Sequence, residues 1–439
     1  MQFKNYTRNA YNKCDTPGNT LQRIQHGFKS LGLDAVYRGV RISDSLFWGR
    51  AWIESLHIVC EGKGITEELS EASAYAELTE RLSTGLYYPG FEEQVRYHLP
   101  EIYSRETIRF LNYEWMDGYV RAHQDELDNP LTIETLLQNE KHLKKSDCKE
   151  IKDCEMAKHW VDGYSLLREE NIKVPVKFMA YIHGSNGMAA GNTIEEAIIQ
   201  AGCEILERYT QINIVKPEKI IPTIDPDSID LPLISEMIDF YTKSNVRVII
   251  KDLSFGGNLP VIGVLYINQN LPSDRLEHKS FIAAASFNQE EALTRCFTEG
   301  MQGKQTLLSG RPELDKPVAP GNRVTDYYML MKHGISPKDI SFLKQGEITT
   351  FHKEVKKDIL EEIKELKDIC KKYKTDCIVL NHTHPILGFP VVRLVIPGIS
   401  DFLPFLPPHI LTDEKSKPST AWKGEDFKKM MQSFFTINR

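Results

Sequence analysis

Ser70-Glu-Ala-Ser73-Ala-Tyr-Ala-Glu77-Leu-Thr-Glu80-Arg81 reads as one helix with two unlike sides. At about 100° per residue, Ser73, Glu77, Glu80 and Arg81 share a face, and Tyr75, Leu78 and Leu82 oppose it. Two later segments lie on this one without gaps. They are Ala197-x-x-Gln200-x-x-x-Glu204-x-x-Glu207-Arg208 and Ala292-x-x-Arg295-x-x-x-Glu299-x-x-Gln302. The second sets Glu204, Glu207 and Arg208 against Ile198, Ile205 and Tyr209, and the third sets Arg295, Glu299 and Gln302 against Leu293, Phe297 and Met301. Gly64 and Gly191 stand thirteen residues before the first glutamates of the first two copies, with Thr66 and Thr193 at matching cap positions. The spacing predicts three copies of one helical device, each with one side in a core and an acidic ridge on the other.

A lone E-x-x-E-R is ordinarily a surface helix with a salt bridge between neighbouring turns. Recurrence changes that reading. Five glutamates around one cavity repel each other and ionise together only with cations present. Oxygen donors without Cys or His suit Mg²⁺, which commonly bridges carboxylates to phosphates. Arg81, Arg208 and Arg295 fit phosphate oxygens. A nucleoside triphosphate is the ligand these groups point to. No G-x-x-x-x-G-K-[ST] occurs. Gly62-Lys63-Gly64 and Gly187–Asn192 offer backbone N–H groups at helix entrances, although tight strand-to-helix turns explain them equally well.

Outward from the three helices, residues 19–33 read as a helix with Thr20 as cap and Gly32 as stop. Strands are predicted over 55–60, 174–182, 246–250, 261–267, 281–285, 377–380 and 390–396. Residues 90–170 read as an irregular, charged excursion. An amphipathic helix over 353–374 carries its apolar stripe at 359, 360, 363, 366, 369 and 370, suited to the protein's own sheet or to a partner.

The 439 residues suffice for a sizeable core, and 41% apolar with 26% charged residues is ordinary for a soluble globular chain. No apolar run is long enough to span a membrane, and Met1–Cys14 lacks the apolar core of a signal peptide. A cytoplasmic protein is expected. A net charge of −7 disfavours nucleic acid as the main partner. Eight scattered cysteines without a C-x-x-C pair argue for reduced thiols rather than zinc.

The runs GKGITEELSEASAYAELTERLS, SNGMAAGNTIEEAIIQAGCEILERY, ALTRCFTEGMQGK and VVRLVIPGISD resemble the signature blocks of the YcaO domain, in order and spacing, over about residues 60–401. The resemblance implies an α/β fold of mixed, largely antiparallel sheets with the acidic helices around an ATP and Mg²⁺ pocket. It implies an enzyme that activates a peptide-backbone amide oxygen as a phosphate. A sulfur donor then gives a thioamide, and a neighbouring Cys, Ser or Thr gives an azoline. Some members instead assist methylthiolation of a ribosomal protein. Carried over by motif, Glu77, Glu80, Glu204, Glu207 and Glu299 match metal carboxylates. Ser73, Arg81, Asn192 and Gln302 match nucleotide contacts, with Lys13 and Thr20 as the early lysine and hydroxyl. Arg208, Arg295 and Glu299 match the reacting centre.

The implied organisation is an N-terminal segment, 1–57, contributing to the nucleotide site, a YcaO domain over 58–412 and a tail over 413–439. Azoline-forming members carry a P-x-P-x-P tail. Here Phe402-Leu-Pro-Phe-Leu-Pro-Pro-His409 departs from it, which favours thioamidation over a ring. No fused leader-binding unit is evident, so a separate protein is expected to deliver the substrate. The resemblance also implies a homodimer, a peptide or protein substrate and a TfuA-like sulfur-delivery partner.

Overall fold

Nearly continuous apolar strands need cover on both faces. Val261–Asn268, for example, is buried at every position. The computed structural model describes residues 2–54, 58–84, 113–140, 143, 145–215, 220–273, 278–301, 343, 346–351 and 357–401. Within these, the chain runs α1 (Pro17–Ser30), β1 (Val36–Arg41), β2 (Phe47–Ile53), β3 (Ile58–Gly64), α2 (Glu67–Thr84), β4 (Val120–Arg121), α3 (Ile133–Leu136), α4 (Lys145–Asp153) and β5 (His159–Ser165). There follow β6 (Glu170–Pro175), α5 (Val176–His183), β7 (Met188–Ala190), α6 (Ile194–Val215), β8 (Thr223–Ile224), α7 (Pro232–Lys243), β9 (Val246–Asp252) and β10 (Val261–Asn268). The last are β11 (Lys279–Ala285), α8 (Gln289–Met301), β12 (Ile348–Thr349), α9 (Ile359–Lys372), β13 (Ile378–Asn381) and β14 (Val391–Val395).

Three sheets result, ordered β1-β2-β3, β11-β10-β9-β8-β12 and β4-β5-β13-β14-β7, with β6 on β5. All named pairs are antiparallel except β12 with β8. The expected α/β fold with largely antiparallel sheets is therefore present. Helix α6 lies between the two larger sheets. Its Ala197, Ile198, Ile205 and Leu206 share one core with Leu265 and Phe281 of one sheet and Val392 and Leu394 of the other. On the far side of the five-stranded sheet, α7 and α8 pack Tyr241, Leu293 and Phe297 on Tyr266 and Ile262. Helix α2 covers the three-stranded sheet through Tyr75 and Leu78 against Ala51, Ile53 and Cys60.

The three acidic helices begin alike. Thr66 Oγ1 accepts from Leu69 N at 3.2 Å, Thr193 Oγ1 from Glu196 N at 3.1 Å, and Asn288 Oδ1 from Glu290 N at 3.0 Å. Each cap precedes its first glutamate by eleven residues. Asn288 is thus the third copy's cap, hidden in the sequence because the residue type changed.

Several expectations need correction. The run Val174–Ile182 is not a strand: β6 stops at Pro175, and α5 buries Val176, Phe178, Met179 and His183 until Gly184 ends it at φ +55°. An apolar run of this length suits either element, and helical packing wins here. Thr20 is not a cap. Thr16 caps α1 with Pro17 at its first turn, and Thr20 is buried one turn later. Within 90–170, the described part is ordered: Met116, Ile133, Leu136 and Val161 share a core with Val174 and Phe178 and with Ile378, Leu380 and Val395 of β13 and β14. The amphipathic stripe over 353–374, by contrast, is as expected: in α9 Ile359, Ile363, Leu366 and Cys370 are buried beside α6, so it packs on its own chain. The 413–439 tail and Phe402–His409 lie outside the described residues.

Gly62 and Gly64 belong to β3 rather than to a turn, and both pack closely on α2. A Cβ at Gly62 would stand 2.0 Å from Ser70 O and 2.5 Å from Ala74 N. Gly62→Ala should therefore destabilise the fold by about 1–3 kcal/mol. Val59→Thr, exposed on the same strand, should stay within about 0.5 kcal/mol. Thermal denaturation of both variants checks the contrast.

Candidate active site

Helices α2, α6 and α8 converge through charges. On α2, Arg81 Nη2 donates to Glu77 Oε1 at 3.1 Å. On α6, Arg208 reaches Glu204 Oε1 through Nε at 2.9 Å and Nη2 at 2.7 Å. On α8, Arg295 Nη2 lies 3.5 Å from Glu299 and 3.9 Å from Glu207, which ties α8 to α6. From β3, Lys63 Nζ reaches Glu299 Oε1 at 2.7 Å. These side chains line a recess, with exposure from 13% at Glu207 to 31% at Glu77.

Despite these cations, two of the acids are held toward their neutral forms. Glu80 is pushed up to about 8 by burial, with Glu204 and Glu77 adding repulsion against Arg81 and Arg208. Glu207 is likewise pushed up to about 8 by burial and by Glu299 and Glu204, against Arg295 and Arg208. Arg295, although buried, is held above its ordinary value by Glu299, Glu207 and Glu291. Behind the recess, Arg393 on β14 is fully buried and donates from Nη2 to Gly184 O at 2.8 Å. Burial pushes it down to about 10, and Glu80 and Glu204 oppose that fall.

The N-terminal segment closes the other side of Arg295. Lys13 Nζ lies 3.6 Å from Glu291, and Asn12 donates to the same carboxylate. Cys14 N donates to Glu196 at 2.7 Å and Lys4 N to Glu195 at 2.7 Å. Arg8 pairs with Glu362 of α9. Thr20 Oγ1 donates to Asn192 Oδ1 at 2.6 Å, and Asn192 Nδ2 donates to Glu196 at 3.2 Å. Arg8, Lys13, Glu196, Gln200, Cys203 and Arg295 line a small cavity here. Arg295 Nη1 donates to Ala285 O at 3.1 Å, so one guanidinium faces both the cavity and the acidic recess.

The structure thus brings Glu77, Glu80, Arg81, Glu204, Glu207, Arg208, Arg295 and Glu299 into one charged network. Ser73 lies one turn before Glu77, half-buried. Lys13 stands by Glu291, and Thr20 by Asn192. Gln302 lies outside the described residues. Sequence reasoning missed Arg8, Lys63, Glu196, Glu291 and Arg393. Two carried a readable signal: Arg393 is a charge inside the apolar run VVRLV, and Glu291 sits at the same step past its cap as Glu196.

A sequence model of the YcaO cyclodehydratases, described as ATP- and Mg²⁺-binding, matches residues 61–400. The chain belongs to the YcaO family. ATP and Mg²⁺ are the family's cofactors. The chain is 25% identical over 408 residues to the ribosomal protein S12 methylthiotransferase accessory factor YcaO of Escherichia coli, a match covering 84% of this chain and 64% of that one. It is 24% identical over 264 residues to an uncharacterized protein in the tfuA 3′ region of Rhizobium leguminosarum bv. trifolii, covering 55% of this chain and 60% of that one. This YcaO chain therefore spans less than two thirds of the length of either curated relative. It shares its fold with the YcaO of Methanopyrus kandleri solved with AMPPCP and Mg²⁺, at a TM-score of 0.58 and 18% identity, covering 92% of this chain and 96% of that one. No helix among the described residues is long and apolar enough to cross a membrane.

The donor chemistry fits Mg²⁺. The carboxylates supply oxygen alone, and Glu80 and Glu207 are two acids that a dication would ionise. Among the described residues, no three acids, histidines or cysteines already form a ligand cluster. Glu77, Glu204 and Glu299 instead point at Arg81, Arg208 and Lys63. Metal binding to this set requires an exchange of partners.

Two tests follow from these charges. A raised folded-state pKa makes a carboxylate's contribution greatest when protonated, so metal-free protein should lose stability as pH rises from 4.5 to about 8. A Glu80→Gln, Glu207→Gln double variant should show a flatter profile, read by thermal melts in a chelator. Cys203 is pushed up to about 12 by burial, and Cys296 is held well above its ordinary value by burial. Both remain thiols near neutral pH. Substituting both with alanine should leave ATP turnover within a few-fold of wild type, and complete loss in a folded protein would show that a thiol takes part.

Proposed function

We propose that this chain activates the oxygen of a peptide-backbone amide by ATP-dependent phosphorylation, for thioamidation with an external sulfur donor. The observation that carries the reading is Arg295. It stands between the N-terminal cavity and the glutamates Glu207 of α6 and Glu299 of α8, where a transferring phosphoryl group would have a cation on one side and metal ligands on the other. In this reading Glu77, Glu80, Glu204, Glu207 and Glu299 hold Mg²⁺. Lys13, Thr20, Ser73, Arg81, Asn192 and Gln302 hold the nucleotide. ATP would supply the γ-phosphoryl group on which the amide oxygen departs as phosphate, leaving ADP, and Mg²⁺ would neutralise the phosphate charge. Arg295 and Arg208 offset charge at that centre, and Glu299 keeps Arg295 and Lys63 in place. Burial in the recess strengthens each of these interactions relative to water.

Thioamidation is supported by the likeness to a protein from a tfuA region and by the departure of Phe402–His409 from P-x-P-x-P. A TfuA-like protein is the sulfur-delivery partner in this reading. Ring formation is the second reading, favoured by the family's cyclodehydratase description. A non-catalytic accessory role in ribosomal-protein methylthiolation is the third, favoured by the likeness to the Escherichia coli factor.

The deciding experiment labels the substrate amide with ¹⁸O. Direct activation delivers the label to released phosphate, whereas label retained in the peptide refutes it. Peptide mass then separates sulfur-for-oxygen exchange from loss of water. Arg295→Lys should lower kcat about a hundredfold or more, because an ammonium cannot reproduce the guanidinium's several contacts. The family resemblance further implies a homodimer. Light scattering at micromolar concentration should return twice the 50.4 kDa chain mass, and a monomer would remove that part of the reading.

A further inference from the structure

Apart from Lys63, the outer face of the three-stranded sheet takes no part in the site described above. Its inner face packs on α2: Tyr37 OH donates to Ser70 Oγ at 2.9 Å, and the Tyr37 ring lies where a Cβ at Gly49 would be 2.4 Å away. The outer face is partly exposed and partly apolar. Val36, Val40 and Val59 expose 46%, 45% and 45% of their surface. Register sorts this face into three rows. Val36 lies beside Trp52, Arg38 beside Arg50, and Val40 beside Trp48.

Two features say what would cover it. The first is charge. Arg50 donates to Glu61 at 3.0 Å, whereas Arg38 in the same row has no carboxylate among the described residues, only the Trp52 ring 6.0 Å away. A basic row thus lies between two apolar rows. The second is continuity. Lys63 continues the Val40–Trp48 row on β3 and reaches Glu299 at 2.7 Å, so this face runs directly into the acidic recess. Among the described residues β1 pairs only with β2, so its other edge meets no described strand.

We propose that β1 accepts an extended polypeptide as a fourth strand, and that this strand belongs to the peptide substrate. Main-chain hydrogen bonds along a free edge supply affinity, and alternate side chains supply selectivity. The side chains laid next to Val36, Arg38 and Val40 would be apolar, acidic and apolar at every second position. That pattern reads the same in both directions, so the assignment holds for a parallel or an antiparallel strand. Naming the occupant as substrate rests on the peptide chemistry proposed above; the binding itself requires no ATP.

The test titrates the full chain into a fluorescein-labelled synthetic peptide with the core Val-Thr-Asp-Thr-Val. Anisotropy reports affinity, and amide hydrogen exchange reports residues 36–41. The expected result is saturable binding with slowed exchange along β1. Arg38→Glu, an exposed substitution, should weaken binding about tenfold, because charge reversal turns attraction into repulsion. Replacing the peptide's aspartate with lysine should restore it, with peptide-free ATP turnover unchanged throughout. Absent binding, equal affinity for Arg38→Glu, or unaltered exchange in β1 overturns the proposal. So does β1 protection that grows with protein concentration without peptide, because a second copy then occupies the edge. If peptide binding holds but the ¹⁸O label stays in the peptide, the reaction is wrong and the surface stands; the reverse outcome sinks the surface alone.

Discussion

Arg295 meets the main-chain oxygen of Ala285, the amide oxygen of Gln200 and the carboxylates of Glu207 and Glu299. Those groups come from β11, α6 and α8 itself. A buried guanidinium is costly unless its donors are matched, and these partners are available only where α6 and α8 cross at one register. The crossing in turn needs α6 wedged between the two large sheets, and α8 seated on the five-stranded sheet through Leu293 and Phe297. The same charge that stabilises the crossing faces the recess where chemistry would occur.

The acids around Arg295 are not at rest as a set. Each of Glu77, Glu204 and Glu299 has a cation within the protein, whereas Glu80 and Glu207 are pushed toward their neutral forms by burial and by neighbouring glutamates, Glu204 acting on both. Arg393, buried behind them, adds a positive charge that no side-chain carboxylate pairs directly among the described residues. The recess is thus tuned for further cationic charge from outside. The N-terminal segment is held by acids of the same helices' first turns, Glu195, Glu196 and Glu291, and by Glu362 of α9. Glu291 joins the segment to the centre: against burial, Lys13 and Arg295 both hold its carboxyl below the usual range.

What the sequence disclosed follows from the range of the forces involved. Helical faces and their caps arise within a few residues, so α2, α6 and the start of α8 were legible, as were five of the strands around them. The third cap was not, because Asn288 does the work of a threonine. Lys63 looked like part of a glycine turn, and only the β2–β3 register shows its side chain aimed at Glu299, far away in sequence. Arg8 and Glu362 are separated by 354 residues, and nothing local couples them. Val176–His183 failed for another reason: its apolar spacing serves a strand or a helix, and tertiary packing chose.

The matched caps carry an evolutionary consequence. Thr66, Thr193 and Asn288 each stand eleven residues before a glutamate, so within each helix a single inserted or deleted residue would swing that carboxylate by about 100° out of the recess. Between the helices no such rule applies. From Glu77 to Glu204 the chain advances 127 positions, and from Glu204 to Glu299 it advances 95. Length changes that keep the site intact are therefore expected in the connecting stretches and not within the three short helical frames.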